Sequence, residues 1–220
     1  MKKISFINGS PKGKNSFSFK LLSRLGGMME DEKNIINLNF KGKYEEETFE
    51  KLINSDAIVI TFSLYYYCLP GILLDFIQQF YEYSKNREKD KKRIRVYAIV
   101  NCGFPEPKIN EEAIRVIQNF CSKADFEFRF GVSIGGGGVI NATQDLVFFK
   151  KDISNINSAL EEIKSDIYEK GSKKDRDTIM IKPFLAKPIF LFLAGSSWYP
   201  LGIKNGLEKK DLFKKPYAQS

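Results

Sequence analysis

A chain of 220 residues with 43% hydrophobic content can bury one sizeable core, which favours one domain with an appendage over two domains. The absence of histidine removes the commonest metal ligand and the commonest general base together, and three widely spaced cysteines, Cys68, Cys102 and Cys121, spell neither a zinc cluster, a redox CxxC nor an iron–sulfur motif. The formal charge of +8 is localised in residues 85–95 and 204–215, and neither segment interleaves aromatics with cations as stacking platforms do, which argues against nucleic acid as a partner.

In chain order, Lys3–Ile7 reads as a first strand, preceded by too short an apolar run for a signal peptide, so a cytoplasmic location is expected. The strand feeds through Asn8-Gly9-Ser10-Pro11-Lys12-Gly13-Lys14-Asn15-Ser16-Phe17-Ser18 into a helical pattern over residues 16–30. A helix N-terminus offers unpaired N–H groups and the positive end of a dipole, so a phosphate is expected there, with Ser10, Ser16 and Ser18 as hydroxyl donors. The loop reads Gly9-x-x-x-Gly13 followed by Lys14-Asn15, which matches neither the dinucleotide fingerprint nor a Walker A loop.

A second strand over residues 34–38 and a helix over 46–54 lead to a third strand, residues 56–61. That strand ends in Ser63-Leu64-Tyr65-Tyr66-Tyr67-Cys68-Leu69-Pro70-Gly71, a run of aromatics that either a planar ligand or neighbouring loops must cover. Then come a helix over 70–84, a strand over 93–100, a helix over 110–123 with Cys121 on its apolar face, and a strand over 126–134. The glycine run Gly135-Gly136-Gly137-Gly138 follows, open to close approach of a ligand or to a flexible loop, and a last helical pattern covers 155–169. This alternation is the signature of βαβ units, hence an α/β doubly wound parallel sheet of five strands over residues 1–175.

Residues 176–220 form an apolar C-terminal extension with a basic tail. Its longest uncharged stretch, residues 188–203, is 16 residues, short of the roughly 20 needed to cross a bilayer. No transmembrane segment is expected; packing on the domain or on a second subunit is favoured, and peripheral membrane contact stays open, with Trp198, Tyr199 and flanking lysines in its favour.

Three loops together, Gly9-Ser10-Pro11-Lys12 through Ser18, Leu64-Tyr65-Tyr66 with Pro70-Gly71, and Asn101-Cys102-Gly103-Phe104, resemble the NAD(P)H-dependent FMN reductase and NAD(P)H oxidoreductase branch of the flavodoxin-like superfamily. The resemblance implies a flavodoxin-like sheet in the order 2-1-3-4-5, FMN as cofactor, NAD(P)H as cosubstrate, a small electron acceptor and a homodimer. It implies that Ser10, Lys12, Asn15, Ser16, Phe17 and Ser18 surround the FMN phosphate. Leu64, Tyr65 and Tyr66 would border the isoalloxazine, and Asn101, Cys102, Gly103 and Phe104 its pyrimidine edge. Phe17 stands where the family's loop often has Asn, so one side-chain donor is lost. No side chain need act as acid or base, because the flavin carries the chemistry. An electron carrier without a nicotinamide site, and a membrane-peripheral protein keeping only the fold, are the alternatives.

Overall fold

A computed structural model describes residues 1–40, 42–85, 93–143, 146, 150–169, 176–196 and 198–215. Most of the basic segment 85–95 therefore lies outside the described residues. The chain divides into two compact units, Met1–Pro183 and Phe184–Ser220.

The first unit is a sheet of β1 (Lys3–Asn8), β2 (Glu32–Asn37), β3 (Ala57–Ser63), β4 (Arg95–Asn101), β5 (Glu127–Ile134) and β6 (Ile179–Ile181). All neighbours pair in parallel, in the order β2-β1-β3-β4-β5-β6. The helices between them are α1 (Phe17–Gly27), α2 (Glu46–Ile53), α3 (Gly71–Ser84), α4 (Glu111–Lys123), α5 (Gly137–Thr143) and α6 (Lys150–Tyr168). Five expected strands lie where the apolar runs placed them, but the sheet has a sixth. Ile179–Ile181, expected to open the extension, pairs instead with Val132–Ile134 of β5. Three residues are too few to show a strand's period in the sequence.

Strand alternation divides the core in two. Ile7, Ile58, Ile60, Phe62, Val96, Ala98 and Val100 face α2, α3 and α4, where Phe49, Phe76 and Phe80 fill the layer. Ile4, Phe6, Val59, Tyr97, Ile99, Val132 and Ile134 face α1 and α6, meeting Leu21, Leu22, Leu25, Ile156, Leu160 and Ile163. Burial on both faces explains why the strands read as nearly continuous apolar runs.

One irregularity changes side-chain placement. Between β4 and β5 the register slips, so that Val96 faces Phe128 and Tyr97 faces Phe130. Arg129 is the extra residue of a bulge, and the bulge reverses the alternation: Phe128 packs on the α4 side and Phe130 on the α6 side. Arg129 meets Asp166 of α6 through two bonds, Nε–Oδ2 at 2.9 Å and Nη2–Oδ1 at 3.0 Å, and the Tyr97 hydroxyl donates to Oδ2 at 2.7 Å. Burial alone would raise the Asp166 carboxyl. The hydrogen bonds from Arg129 and Tyr97 and the nearby charges of Arg129 and Arg176 outweigh it and hold the carboxyl below its usual range.

In the second unit, α7 (Lys187–Ser196) and α8 (Trp198–Lys204) are followed by a short 3-10 turn, Lys209–Phe213. Gly206, at φ +76°, stops α8: Leu207 N–H donates to Gly202 O at 2.9 Å and Gly206 N–H to Ile203 O at 3.0 Å, the paired bonds of a Schellman motif. Glu208 and Asp211 cap the following turn reciprocally.

Candidate functional site

The chain leaves β1 toward β2 on one side and returns to β3 on the other, so the crevice beyond the carboxyl ends of β1 and β3 is the switch point of the sheet. A cleft of about 240 Å³ opens there. Its walls come from four loops: Lys12, Asn15, Ser16 and Phe17 after β1, then Ser63, Leu64 and Tyr65 after β3, Asn101, Cys102 and Gly103 after β4, and Gly137, Gly138 and Asn141 around α5.

Of the residues expected at a cofactor, Lys12, Asn15, Ser16, Phe17, Leu64, Tyr65, Asn101, Cys102 and Gly103 line this cleft, whereas Ser10, Ser18, Tyr66 and Phe104 do not. Ser63 and Asn141 are not among the expected residues, and the two glycines belong to the run that the sequence leaves open between close approach to a ligand and a flexible loop. The glycine run was the only sequence signal for α5, and it reads equally well as a loop.

The first loop is organised by its own side chains. Ser16 Oγ accepts from Phe19 N at 3.0 Å, capping α1, and donates to Gly13 O at 2.7 Å. Asn8, fully buried, donates to Gly13 O at 3.0 Å and to Asn37 Oδ1 at 3.1 Å. Gly13 takes φ +54°, which a side chain rarely tolerates. The first-turn amides of Phe17 and Ser18 have no intrahelical acceptor, as in any α-helix, and they are the donors this loop can turn outward.

Under the cleft lies a closed ring of hydrogen bonds. Asn101 Nδ2 donates to Ser18 Oγ at 3.0 Å, the Ser18 and Ser63 hydroxyls meet at 3.2 Å, and Ser63 Oγ donates to Asn101 Oδ1 at 3.2 Å. The ring ties α1, β3 and β4 together and commits the Ser18 hydroxyl within the protein. The glycine run packs against the same point: a Cβ on Gly137 would lie 2.8 Å from Asn101 Oδ1, and one on Gly135 2.5 Å from Pro105 O. Gly135 is therefore held by close backbone packing and Gly137 by the Asn101 side chain, while Gly138 faces open space on the cleft wall.

After β3, Tyr65 and Cys68 exchange backbone bonds of 3.0 and 2.8 Å, closing a two-residue turn. Both central residues, Tyr66 at φ 45° and Tyr67 at φ 61°, take the left-handed conformation that a type I′ turn demands. Tyr66 is 98% exposed, and Tyr67 stacks on Phe104 with ring centroids 6.0 Å apart and an 18° interplanar angle. Burial pushes the Cys102 thiol up, so it stays protonated at neutral pH.

The electrostatics suit an anion. Among the described residues, Lys12 is the one charged residue on the walls and no carboxylate lines them. A larger groove, about 520 Å³, opens at the amino ends of β1 and β2 beside α2, but Lys3, Glu32, Lys33, Glu47, Glu50 and Lys51 line it with both signs. It lies away from the switch point, and the residue it takes from the first turn of α2 is the acidic Glu47, which disfavours an anion, so the smaller cleft is the candidate site.

The fold is flavodoxin-like. The sequence matches no described protein family and no curated protein. Solved structures resemble it: an apo NADH:FMN oxidoreductase (16% identity, 79% of this chain and 94% of that chain covered, TM-score 0.54). The general stress protein 14 of Treponema denticola, solved with FMN, gives 16% identity, 75% and 97% coverage and a TM-score of 0.55. An NADPH-quinone reductase of P. pentosaceus gives 14% identity, 66% and 93% coverage and a TM-score of 0.51.

Whether the cleft suits FMN is tested by its donors. Ser10 Oγ is the one buried hydroxyl among the described residues with no hydrogen-bond partner, and it sits in the loop that opens α1, near the lining residue Lys12 in sequence though not itself on the cleft wall. With a lysine on the rim, first-turn amides of α1 that lack an intrahelical acceptor and, among the described residues, no carboxylate on the walls, these residues fit a phosphate-bearing cofactor.

Proposed function

We propose that the chain is an FMN-dependent NAD(P)H oxidoreductase that passes reducing equivalents from a nicotinamide to a small electron acceptor. The observation that carries this reading is the cleft at the switch point, walled by Lys12 and by no carboxylate among the described residues, with the N-terminus of α1 at one end and an aromatic turn at the other. Solved proteins of the same fold bind FMN or bear oxidoreductase names.

The phosphate would be held by the Phe17 and Ser18 amides with Lys12 and Asn15, inside the loop that Ser10 and Ser16 shape. Leu64 and Tyr65 would flank the isoalloxazine, and the Cys102–Gly103 backbone would meet its polar edge. When bound, FMN supplies the acceptance of hydride from the nicotinamide and the delivery of electrons onward. The protein's part is binding and orientation: the Asn101–Ser18–Ser63 ring fixes three of the four walls relative to one another. The buried Cys102 thiol remains neutral and adds no nucleophile beside the ring.

The test is titration of the purified protein with FMN, followed by anaerobic mixing with NADH or NADPH. Saturable binding with heat release, then loss of flavin absorbance on mixing, is the expected result. Lys12→Glu should weaken FMN roughly tenfold to a hundredfold, the range of a hydrogen bond to a charged group. A folded preparation that takes up no FMN overturns the flavin reading; uptake without bleaching by either nicotinamide leaves an electron carrier instead.

A further inference from the structure

The Phe184–Ser220 unit exposes apolar surface that water does not favour. On α7, Ile189, Leu191 and Phe192 are 53, 51 and 73% exposed, and on α8 Trp198 and Ile203 are 66 and 70% exposed. A surface helix in water carries apolar residues on its inward stripe and polar ones outside; α7 buries only Phe190 and presents apolar side chains outward.

The charge of the same unit is cationic. Residues 184–215 hold Lys187, Lys204, Lys209, Lys210, Lys214 and Lys215 against Glu208 and Asp211 alone, a net +4. We propose that this unit is an interfacial anchor that docks the protein on an anionic lipid bilayer. Charge complementarity chooses the occupant: a second copy meeting the same face about a twofold axis would set +4 against +4, whereas anionic headgroups attract the lysines while the acyl boundary receives the apolar side chains.

The geometry is that of a helix lying in the interface. α7 has 10 residues and extends about 15 Å, half the roughly 30 Å hydrocarbon core. Among the described residues, no helix is long and apolar enough to cross a membrane. Trp198 and Tyr199 are the residue types that settle at the headgroup level. The inference is independent of the flavin proposal, since it concerns other residues and is measured without FMN.

Trp198 is the chain's only tryptophan and reports directly on the surface in question. The full-length protein is mixed with vesicles of phosphatidylcholine and phosphatidylglycerol, or of phosphatidylcholine alone, and followed by tryptophan fluorescence, acrylamide quenching and co-sedimentation. A blue shift, protection from quencher and co-sedimentation are expected on the anionic vesicles, weakened by added salt. Binding to the zwitterionic vesicles should be at least about tenfold weaker, because each lysine near an anionic surface contributes about fivefold. Phe192→Ser with Ile203→Ser should lower binding by about tenfold or more, and Lys204→Glu with Lys209→Glu should remove the preference for anionic lipid.

Circular dichroism verifies that the variants fold, and the wild-type comparison of the two vesicle types stands without them. Absence of a spectral shift and of co-sedimentation on anionic vesicles overturns the proposal. So does concentration-dependent self-association, seen by sedimentation, that Phe192→Ser with Ile203→Ser abolishes, since a second copy would then be the occupant.

Discussion

At the amino ends of β4 and β5, the buried side chains satisfy one another: Asp166 accepts from Arg129 and Tyr97, Arg129 also reaches Glu127 at 2.6 Å, and Arg95 donates to the Asp166 carbonyl at 2.6 Å. At the carboxyl ends of β1, β3 and β4, the chain instead keeps first-turn amides without an intrahelical acceptor, a buried Ser10 hydroxyl without a partner and two tyrosines at positive φ. The first end fixes structure, and the second is where the proposed function places binding. Perturbations should therefore separate: changes at the ion pair should affect stability and spare ligand affinity, and changes at the loops should affect affinity more than stability.

The largest effect is expected at Asp166. Asp166→Asn keeps the volume but removes the buried carboxylate of Arg129 and leaves only the half-buried Glu127 to pair it, at a cost of up to about 3 kcal/mol, read as a fall in the urea midpoint at constant slope. FMN affinity of the folded fraction should not change. The sign of the pH dependence follows from the depressed carboxyl. Its contribution is complete above the unfolded-state value, about 3.9, and is lost as pH falls through the lower folded-state value. Wild type and Asp166→Asn should therefore converge in stability on acidification, and a gap that stays constant down to about pH 2 would show that the pair does not titrate as described.

Much of the frame was legible from apolar runs, because a parallel sheet buried on both faces writes itself as uninterrupted Ile, Val and Phe. β6 was not, since Ile179–Ile181 is too short to carry a period, and neither was the bulge at Arg129, which the alternation of residues 126–134 conceals. α5 was hidden for another reason: glycine is a poor helix former, so Gly137 and Gly138 read as loop until the packing of Gly137 against Asn101 is seen. At the site, the residues contributed by contiguous loops were readable. The Asn101–Ser18–Ser63 ring joins three distant segments, and only the fold brings it together.

An intermediate effect is expected at Gly137. Alanine there would press its Cβ against Asn101 at 2.8 Å, where only a shift of the ring can relieve the clash. Overpacking of this kind costs about 1–3 kcal/mol. Because the same residues wall the cleft, Gly137→Ala should also weaken FMN in calorimetric titration, whereas Gly138→Ala, facing open space, should alter stability far less. Equal destabilisation by the two substitutions would mean that helix propensity and not the Asn101 contact governs this segment.

The smallest effect is expected to be favourable, and it tests what the strained turn is for. A left-handed residue with a side chain costs about 1–2 kcal/mol, and asparagine tolerates this conformation better than tyrosine. The Tyr66 side chain is almost wholly exposed and gives up no packing when replaced, so Tyr66→Asn should raise stability by about 0.5–1 kcal/mol in chemical denaturation. At Tyr67 the same relief is offset by loss of the stack on Phe104, an interaction of about the same size, so Tyr67→Asn should be near neutral. Ligand affinity then tells why a tyrosine occupies so unfavourable a position. If Tyr66→Asn stabilises the protein and leaves FMN binding unchanged, the ring serves a step after cofactor binding; if FMN weakens severalfold, the exposed ring folds over the flavin when it is bound.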